Sequence, residues 1–298
     1  MLKSVFENIS KNSTDLYKAE HKESYAAWLQ YKKIEDRAIA EEYTQWCSSV
    51  TVLGDTIVME CAKKELIQGI SSMLGIMPDS SSESQQSRLV LAVKDSIVDI
   101  IDVDFNQLND DGYVIKSVTS GQRNTIFIVG KRDKGVLYGT FHLLRLMQNR
   151  GNLRQLDIVE NPKNQLRMLN QWDNMDGSIE RGYAGNSIFY KDYQFSDELN
   201  RIEDYARMLA SVGINGIAIN NVNVHQVESN LITKPLLPKV AEVAGIFRAY
   251  AITTFLSVNY ASTIQIGNLT TADPLDSEVR EWWKEKAEEI YSYIPDFG

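Results

Sequence analysis

The stretch Leu169–Gly185, LNQWDNMDGSIERGYAG, decides how the second half of the chain is read. Its seventeen residues hold one Trp, three carboxylates, an Arg, two Asn, a Gln and three Gly. That mixture is poor material for a buried core and well suited to holding a polar ligand. It follows the apolar run QLRML and so sits where a strand ends. A dinucleotide-binding sheet would place a glycine-rich GxGxxG turn there. WDNMDG does not match it.

Working outward, the chain from Gln165 is regular. QLRMLNQW reads as a strand. SDELNRIEDYARMLASVG reads as a helix with Ser196 as N-cap and Gly213 just past its C-terminus. INGIAINN is a strand, LPKVAEVAGIFRAY a helix, ITTFLSVNY a strand, and DSEVREWWKEKAEEIYSYI a helix capped by Asp276. This is β-α-β-α-β-α with short apolar strands that look buried on both faces, the mark of a parallel sheet. Each strand delivers polar groups at its C-terminal end: Asn170 to Asn174, then Asn220, Asn221 and Asn223, then Asn259 and Tyr260. Several strand ends contributing to one face is the habit of a (β/α) barrel rather than of an open sheet. A full barrel takes eight such units in about 250 residues. Three units are visible, so the expectation is a truncated barrel in a piece of a longer protein. A compact three-strand α/β domain is the alternative.

The first part reads as a small α+β domain. SSVTVLG, RLVLAV, GYVIKSV and NTIFIVG are strand-like. DTIVMECAKKELIQGISSMLG is a helix ending at Gly75, and PDSSSESQQS (Pro78–Ser87) is a polar loop. DKGVLYGTFHLLRLMQ is a helix with Asp133 as a fair N-cap. Its Gly135 and Gly139 lie on one face and would let it sit close to the sheet. A phosphate loop in GVLYG is disfavoured, because no GxxxxGK[ST] is present. The turn-like ENPKN sets the expected domains at 1–158 and 159–298.

A net charge of -9 argues against a nucleic-acid partner. No run approaches the ~18 apolar residues of a membrane span. Cys47 and Cys61, with no CxxC, read as reduced buried thiols. The opening MLKSVFENISKNSTDLYKAE lacks a continuous apolar segment and does not read as a secretory leader. A cytoplasmic protein is expected. The three His (His21, His142, His225) are far apart in sequence, and no metal or other cofactor is expected.

On residue chemistry alone, Asp173, Asp176 and Glu180 could include an acid/base pair, or they could pin their own loop. Trp172, at a strand end among polar neighbours, could stack a sugar face. Asn221 and Asn223 could bond sugar hydroxyls or cap their turn, and Val222 could meet an apolar methyl. Arg181 could meet a carboxylate but is expected to pair internally with Glu180. His225 and the Trp282–Trp283 pair are expected to be structural.

LNQWDNMDGSIERGYAGNSIF resembles the signature of the family 67 α-glucuronidases. DKGVLYGTFHLLRLMQ, ENPKNQLRMLN, DYARMLASVGINGIAINNVNVH, TFLSVNYAS and TADPLDSEVREWWKEKAEEIYSYIPDFG are similar to that family in order. The resemblance covers essentially the whole chain, most closely from Gly112 onward. It implies a hexosaminidase-like N-terminal α+β domain, then a (β/α)8 catalytic barrel, then a helical C-terminal domain. It implies hydrolysis of the α-1,2 bond between (4-O-methyl)glucuronic acid and xylo-oligosaccharides, with inversion. Inversion needs an acid and a base carboxyl about 6.5–9.5 Å apart. In the family the acid is a Glu at the end of the fourth strand and the bases lie later, so no catalytic residue is expected within 1–298, and the piece alone is expected to be inactive. Trp172, Asp173, Asn174, Asn221, Val222 and Asn223 are the expected substrate contacts, with glucuronoxylan-derived oligosaccharides as partners. Dimerisation through the C-terminal domain would be the family's habit. The competing expectations are a hexosaminidase-like glycosidase and a non-catalytic carbohydrate-binding piece.

Overall fold

The computed structural model describes residues 25–80, 89–97, 101, 103–121 and 123–298. The opening segment read for a leader, His21, and most of the polar loop 78–87 lie outside the described residues. The chain forms two compact units, which divide between Gln165 and Leu166.

The first unit is built on a five-stranded mixed sheet. Its strands are β1 (Val50–Leu53), β2 (Leu89–Val93), β3 (Tyr113–Ser120), β4 (Arg123–Gly130) and β5 (Asp157–Glu160), in the order β1-β2-β4-β3-β5. β1, β2 and β4 run parallel, and β3 is antiparallel to both β4 and β5. β5 spans position 158/159, where the sequence places the domain boundary. Its pairing Tyr113↔Glu160 to Lys116↔Asp157 makes it part of the first unit's sheet. The helices are α1 (Arg37–Cys47), α2 (Ile57–Leu74) and α3 (Asp133–Gln148).

Two apolar layers sandwich this sheet. Leu89, Leu91, Ile126 and Ile128 are fully buried. The alternate residues Val90, Ala92, Phe127 and Val129 pack instead with Ile97, Ile101, Val103 and Phe105. That is the period-2 alternation of a sheet with both faces covered. α3 lies close to the strands because two of its residues lack side chains. A Cβ on Gly135 would stand 2.4 Å from the Gly112 carbonyl oxygen, and one on Gly139 would stand 2.7 Å from Ile128 Cγ2.

Asp133 is not the N-cap of α3. Arg132 holds the extended cap position without a side-chain bond, and Asp133 is the first helical residue. Its Oδ1 accepts from Lys134 N and its Oδ2 from Thr56 Oγ1, the hydroxyl that caps α2. α2 ends as expected at Gly75, whose φ of 70° is left-handed. Both cysteines are buried, and burial pushes the Cys47 thiol up to about 12.

The second unit carries a parallel sheet of β6 (Met168–Asn170), β9 (Gly216–Ala218) and β10 (Thr253–Phe255), in the order β10-β9-β6. A small hairpin, β7 (Tyr190–Lys191) with β8 (Gln194–Phe195), interrupts the connection after β6. The helices are α4 (Leu199–Ser211), α5 (Leu237–Ala249), a single turn α6 (Ser262–Gln265) and α7 (Ser277–Tyr293). The strands are shorter than the apolar runs suggest. Only the central β9 is buried throughout, while β6 is mostly exposed, as befits a strand at the edge of this sheet. Ser196 does not cap α4: its hydroxyl accepts from Glu198 N, and the helix begins at Leu199. The C-terminal end follows expectation, since Gly213 N donates to Ala210 O and Ile214 N to Leu209 O, a Schellman pair. Asp276 caps α7 through Glu278 N and Val279 N. Trp282 and Trp283 pack edge-to-face at 4.8 Å against the cluster of Ile232, Leu237 and Ile290.

Candidate functional site

The residues that follow the strand ends of the second unit form one continuous polar scaffold. After β6 the loop folds back on itself through antiparallel bridges, Asp173 with Ile179 and Ser178 with Asn186. Glycine permits this: Gly177 sits at φ 97°, where a side chain would be strained. Asp176 closes the turn, its Oδ1 accepting from Ser178 N (2.8 Å) and Ser178 Oγ (2.6 Å). Those two donors, with a smaller contribution from His225, hold its carboxyl below the usual range.

Asn174 is the hub. Its Nδ2 donates to Ser178 Oγ (2.9 Å) and to Glu180 O (2.8 Å), and its Oδ1 accepts from Asn221 Nδ2 (2.9 Å). Asn221 N donates to Asp173 O (2.8 Å), so the ends of β6 and β9 are joined twice. Asn221 Oδ1 accepts from Asn223 N (2.9 Å), the capped turn weighed for it above. Asn220, fully buried, joins β9 to β10: Ser257 N donates to its Oδ1 (2.8 Å), and its Nδ2 donates to Ser257 O (3.0 Å). Asn259 Nδ2 donates to Val224 O (3.0 Å). The strand-end amides therefore bond one another and the backbone.

Asp173 lies beneath this layer, 2% exposed. Burial raises its pKa, while the Ser187 hydroxyl and Ile188 N–H pull it part of the way back. The neighbouring Tyr190 is held well above its ordinary value, first by burial and then by the negative charge of Asp173 and Glu228. Tyr205, which accepts from Gln171 Nε2, is pushed up to about 12 by burial and by Asp173. None of these groups presents a readily ionised base to solvent.

Beside the loop opens a cleft of about 500 Å³, lined by Asn174, Asp176, Ser178, Glu180, Arg181, Gly182, Tyr193, His225, Val227 and Glu228. Glu228 comes from a 3-10 turn, Glu228–Ile232, and its Oε1 accepts from Met175 N (2.9 Å). Tyr193 stands on the hairpin turn, with its N donating to Met175 O (2.7 Å). Arg181 Nε lies 3.7 Å from Glu180 Oε1, the internal pairing expected for it. Among the described residues no group of three or more His, Cys, Asp or Glu could hold a metal ion. Within the same residues, no helix is long and apolar enough to cross a membrane.

Of the six expected substrate contacts, Asn174 lines this cleft. Asp173 and Asn221 are buried within the scaffold. Trp172 and Val222 are 39% and 43% exposed and Asn223 is exposed, all on surface outside the cleft lining. Glu228 and Tyr193 were not anticipated. Glu228 reaches Met175 across 53 positions of sequence, and no local pattern marks it.

Comparison with known proteins supplies the family. The model of the glycosyl hydrolase family 67 N-terminus matches residues 27–143, and that of the family 67 middle domain matches residues 146–298. A probable alpha-glucuronidase A of Aspergillus fumigatus is 38% identical over 241 residues, 80% of this chain and 28% of that protein. An alpha-glucuronidase of Hypocrea jecorina is 34% identical over 287 residues, 91% of this chain and 33% of that protein. The chain thus spans about a third of the length of these relatives. Among solved structures, a family GH115 4-O-methyl-alpha-glucuronidase superposes with a TM-score of 0.58 at 12% identity, over 82% of this chain and 34% of that one. At that identity the likeness concerns the fold alone. Two family models that between them match nearly all of residues 27–298 place the chain plainly: it belongs to glycosyl hydrolase family 67.

Proposed function

We propose that this protein works as an α-glucuronidase. It hydrolyses the α-1,2 bond between (4-O-methyl)glucuronic acid and xylo-oligosaccharides during xylan breakdown, with inversion at the anomeric carbon. On this reading the second unit is the first part of a (β/α)8 barrel, and its strand-end face is part of the substrate pocket. The observation that supports it is the identity of 34–38% to proteins named alpha-glucuronidase over most of the chain. The match to the family 67 middle domain, residues 146–298, spans the LNQWDNMDGSIERGYAG loop that builds the scaffold.

On this reading the scaffold shapes and lines the pocket. Inversion needs one carboxylic acid on the leaving oxygen and one carboxylate on water. Asp176 accepts from Ser178, Glu228 accepts from Met175 N through Oε1, and Asp173 is buried. These groups hold the loop in place. Trp172, Val222 and Asn223 are the exposed candidates for direct sugar contact beside it.

The test is release of glucuronic acid from aldouronic oligosaccharides by the 298-residue chain and by any longer product of its gene, followed by NMR of the anomer first formed. Appearance of the β-anomer from the α-linked substrate supports the reading. Release of N-acetylhexosamine from a chromogenic glycoside, with no release of uronic acid, would replace it by the hexosaminidase alternative.

A further inference from the structure

We infer that Asn221 is a positioning residue for sugar recognition at the strand-end face: it fixes the spacing between Trp172 on one loop and the Val222–Asn223 pair on the next. This rests on the α-glucuronidase reading, in which those three exposed residues meet the sugar, and adds the group that sets them against one another. Asn221 is not placed to touch a ligand. It is 3% exposed, and both ends of its amide are bonded inside the protein. It acts through its neighbours.

Three bonds converge on Asn221, and each leads to a contact residue. Its N donates to Asp173 O (2.8 Å), one residue past Trp172. Its Nδ2 donates to Asn174 Oδ1 (2.9 Å). Its Oδ1 accepts from Asn223 N (2.9 Å), which closes the turn that carries Val222. The Trp172 side is set in the same way: Glu180 N donates to Trp172 O (2.8 Å), and Asn174 Nδ2 donates to Glu180 O (2.8 Å). A continuous run of bonds therefore links Trp172, Glu180, Asn174, Asn221 and Asn223. Asn221 makes the step between the two loops, once through its backbone N–H and once through its amide. The step needs a donor toward Asn174 and an acceptor toward Asn223. A primary amide carries both, whereas a carboxylate carries acceptors alone. Contacts on separate loops act together only if their spacing matches the ligand, and a shift of about 1 Å loses much of the benefit.

The test uses Asn221→Asp, which keeps an oxygen for Asn223 N and replaces the donor to Asn174 by an acceptor. The 298-residue chain is titrated calorimetrically with an aldouronic oligosaccharide. Affinity is expected to fall about tenfold, the loss of one buried hydrogen bond. Equal affinity in wild type and Asn221→Asp overturns the inference, as does a wild-type chain that binds no aldouronic oligosaccharide, since nothing is then positioned. A second readout separates positioning from a general loss of stability. In ligand-free chains labelled with 5-fluorotryptophan, the fluorine resonance that disappears in Trp172→Phe identifies that ring. It should shift in Asn221→Asp while the other tryptophan resonances stay in place. A Trp172 resonance that stays put, or a shift of all of them together, overturns the inference. If circular dichroism shows Asn221→Asp unfolded, Asn221→Ser decides on the same two readouts: its hydroxyl keeps an acceptor for Asn223 N and is too short to reach Asn174. Release of glucuronic acid is read separately. A chain that releases it with the same KM in Asn221→Asp loses only the positioning role. One that binds the oligosaccharide through Asn221 and releases nothing loses only the hydrolase reading.

Discussion

Two regions of this molecule are equally buried and are held together in opposite ways. In the first unit, α3 meets the sheet across Gly135, Gly139, Ile128 and Gly112, where order comes from side chains that are absent. In the second unit, the loop after β6 is held by Asp173, Asn174, Asn221 and Glu228, all buried and polar. Apolar contact is non-directional, so the close approach of α3 to the sheet requires shape and no atom-by-atom pairing. A polar scaffold depends on direction, because each buried donor and acceptor needs its own partner, as Asn174 has in Ser178, Glu180 and Asn221.

The comparison is broken most easily at Asn174. Asn174→Ala removes three hydrogen bonds and leaves the buried Asn221 Nδ2 without its acceptor. We expect a loss of about 3 kcal/mol, the upper end for orphaning a buried polar group. Urea denaturation measures the total, and hydrogen-exchange mass spectrometry should place the lost protection in residues 171–187 and around 221. A loss below about 1 kcal/mol would mean that the amide hub is not what orders the loop.

Gly135→Ala probes the other region, and two effects oppose. Alanine improves helix propensity by about 1 kcal/mol over glycine. Its methyl would meet the Gly112 carbonyl oxygen at 2.4 Å and Gly130 Cα at 3.1 Å, and both are backbone atoms that cannot rotate away. Overpacking costs about 3 kcal/mol at such a site, so the clash wins by about 2 kcal/mol. The lost protection should appear in β3, β4 and α3. Stabilisation by Gly135→Ala would show that the helix can lift off the sheet freely.

The apolar region was the more legible of the two in the sequence. Gly135 and Gly139 recur at helical spacing, and Ile126 to Val129 form an unbroken apolar run, the mark of a strand covered on both faces, so both contacts are written in the local sequence. Four-residue β5, polar at both ends, carries no such period and is a strand only through its pairing with Tyr113–Lys116. At the site, the strand ends were readable as the places where polar groups collect, because apolar runs give way there to Asn and Asp. What each amide bonds was not. Asn174 and Asn221 look like ligand groups in sequence and spend their bonds on each other. Ser196 looks like a cap, and its hydroxyl accepts from Glu198 N ahead of the helix. Glu228 belongs to the cleft through a partner 53 residues away. Hydrogen-bond choice is settled by three-dimensional proximity, which spacing along the chain does not encode.

The finest test separates charge from shape within the polar region. Asp173 is buried, and its raised pKa means that the folded state disfavours its ionised form. For a carboxyl raised on folding, the stabilising contribution is fully present below the unfolded pKa. It is lost as pH rises through the folded value. Asp173→Asn removes that dependence while nearly preserving shape. The stability of wild type relative to Asp173→Asn should therefore fall as pH is raised from about 3 to 7, across and above the ordinary carboxylate range. Urea midpoints of both proteins at the two ends of that window measure it. The change should be the smallest of the three, because the Ser187 hydroxyl and Ile188 N–H favour the ionised form and offset part of the burial cost. A constant difference between the two proteins would show that Asp173 does not titrate there. A difference that moves the other way would show that those two donors outweigh burial, making the ionised carboxylate a net stabiliser of the loop.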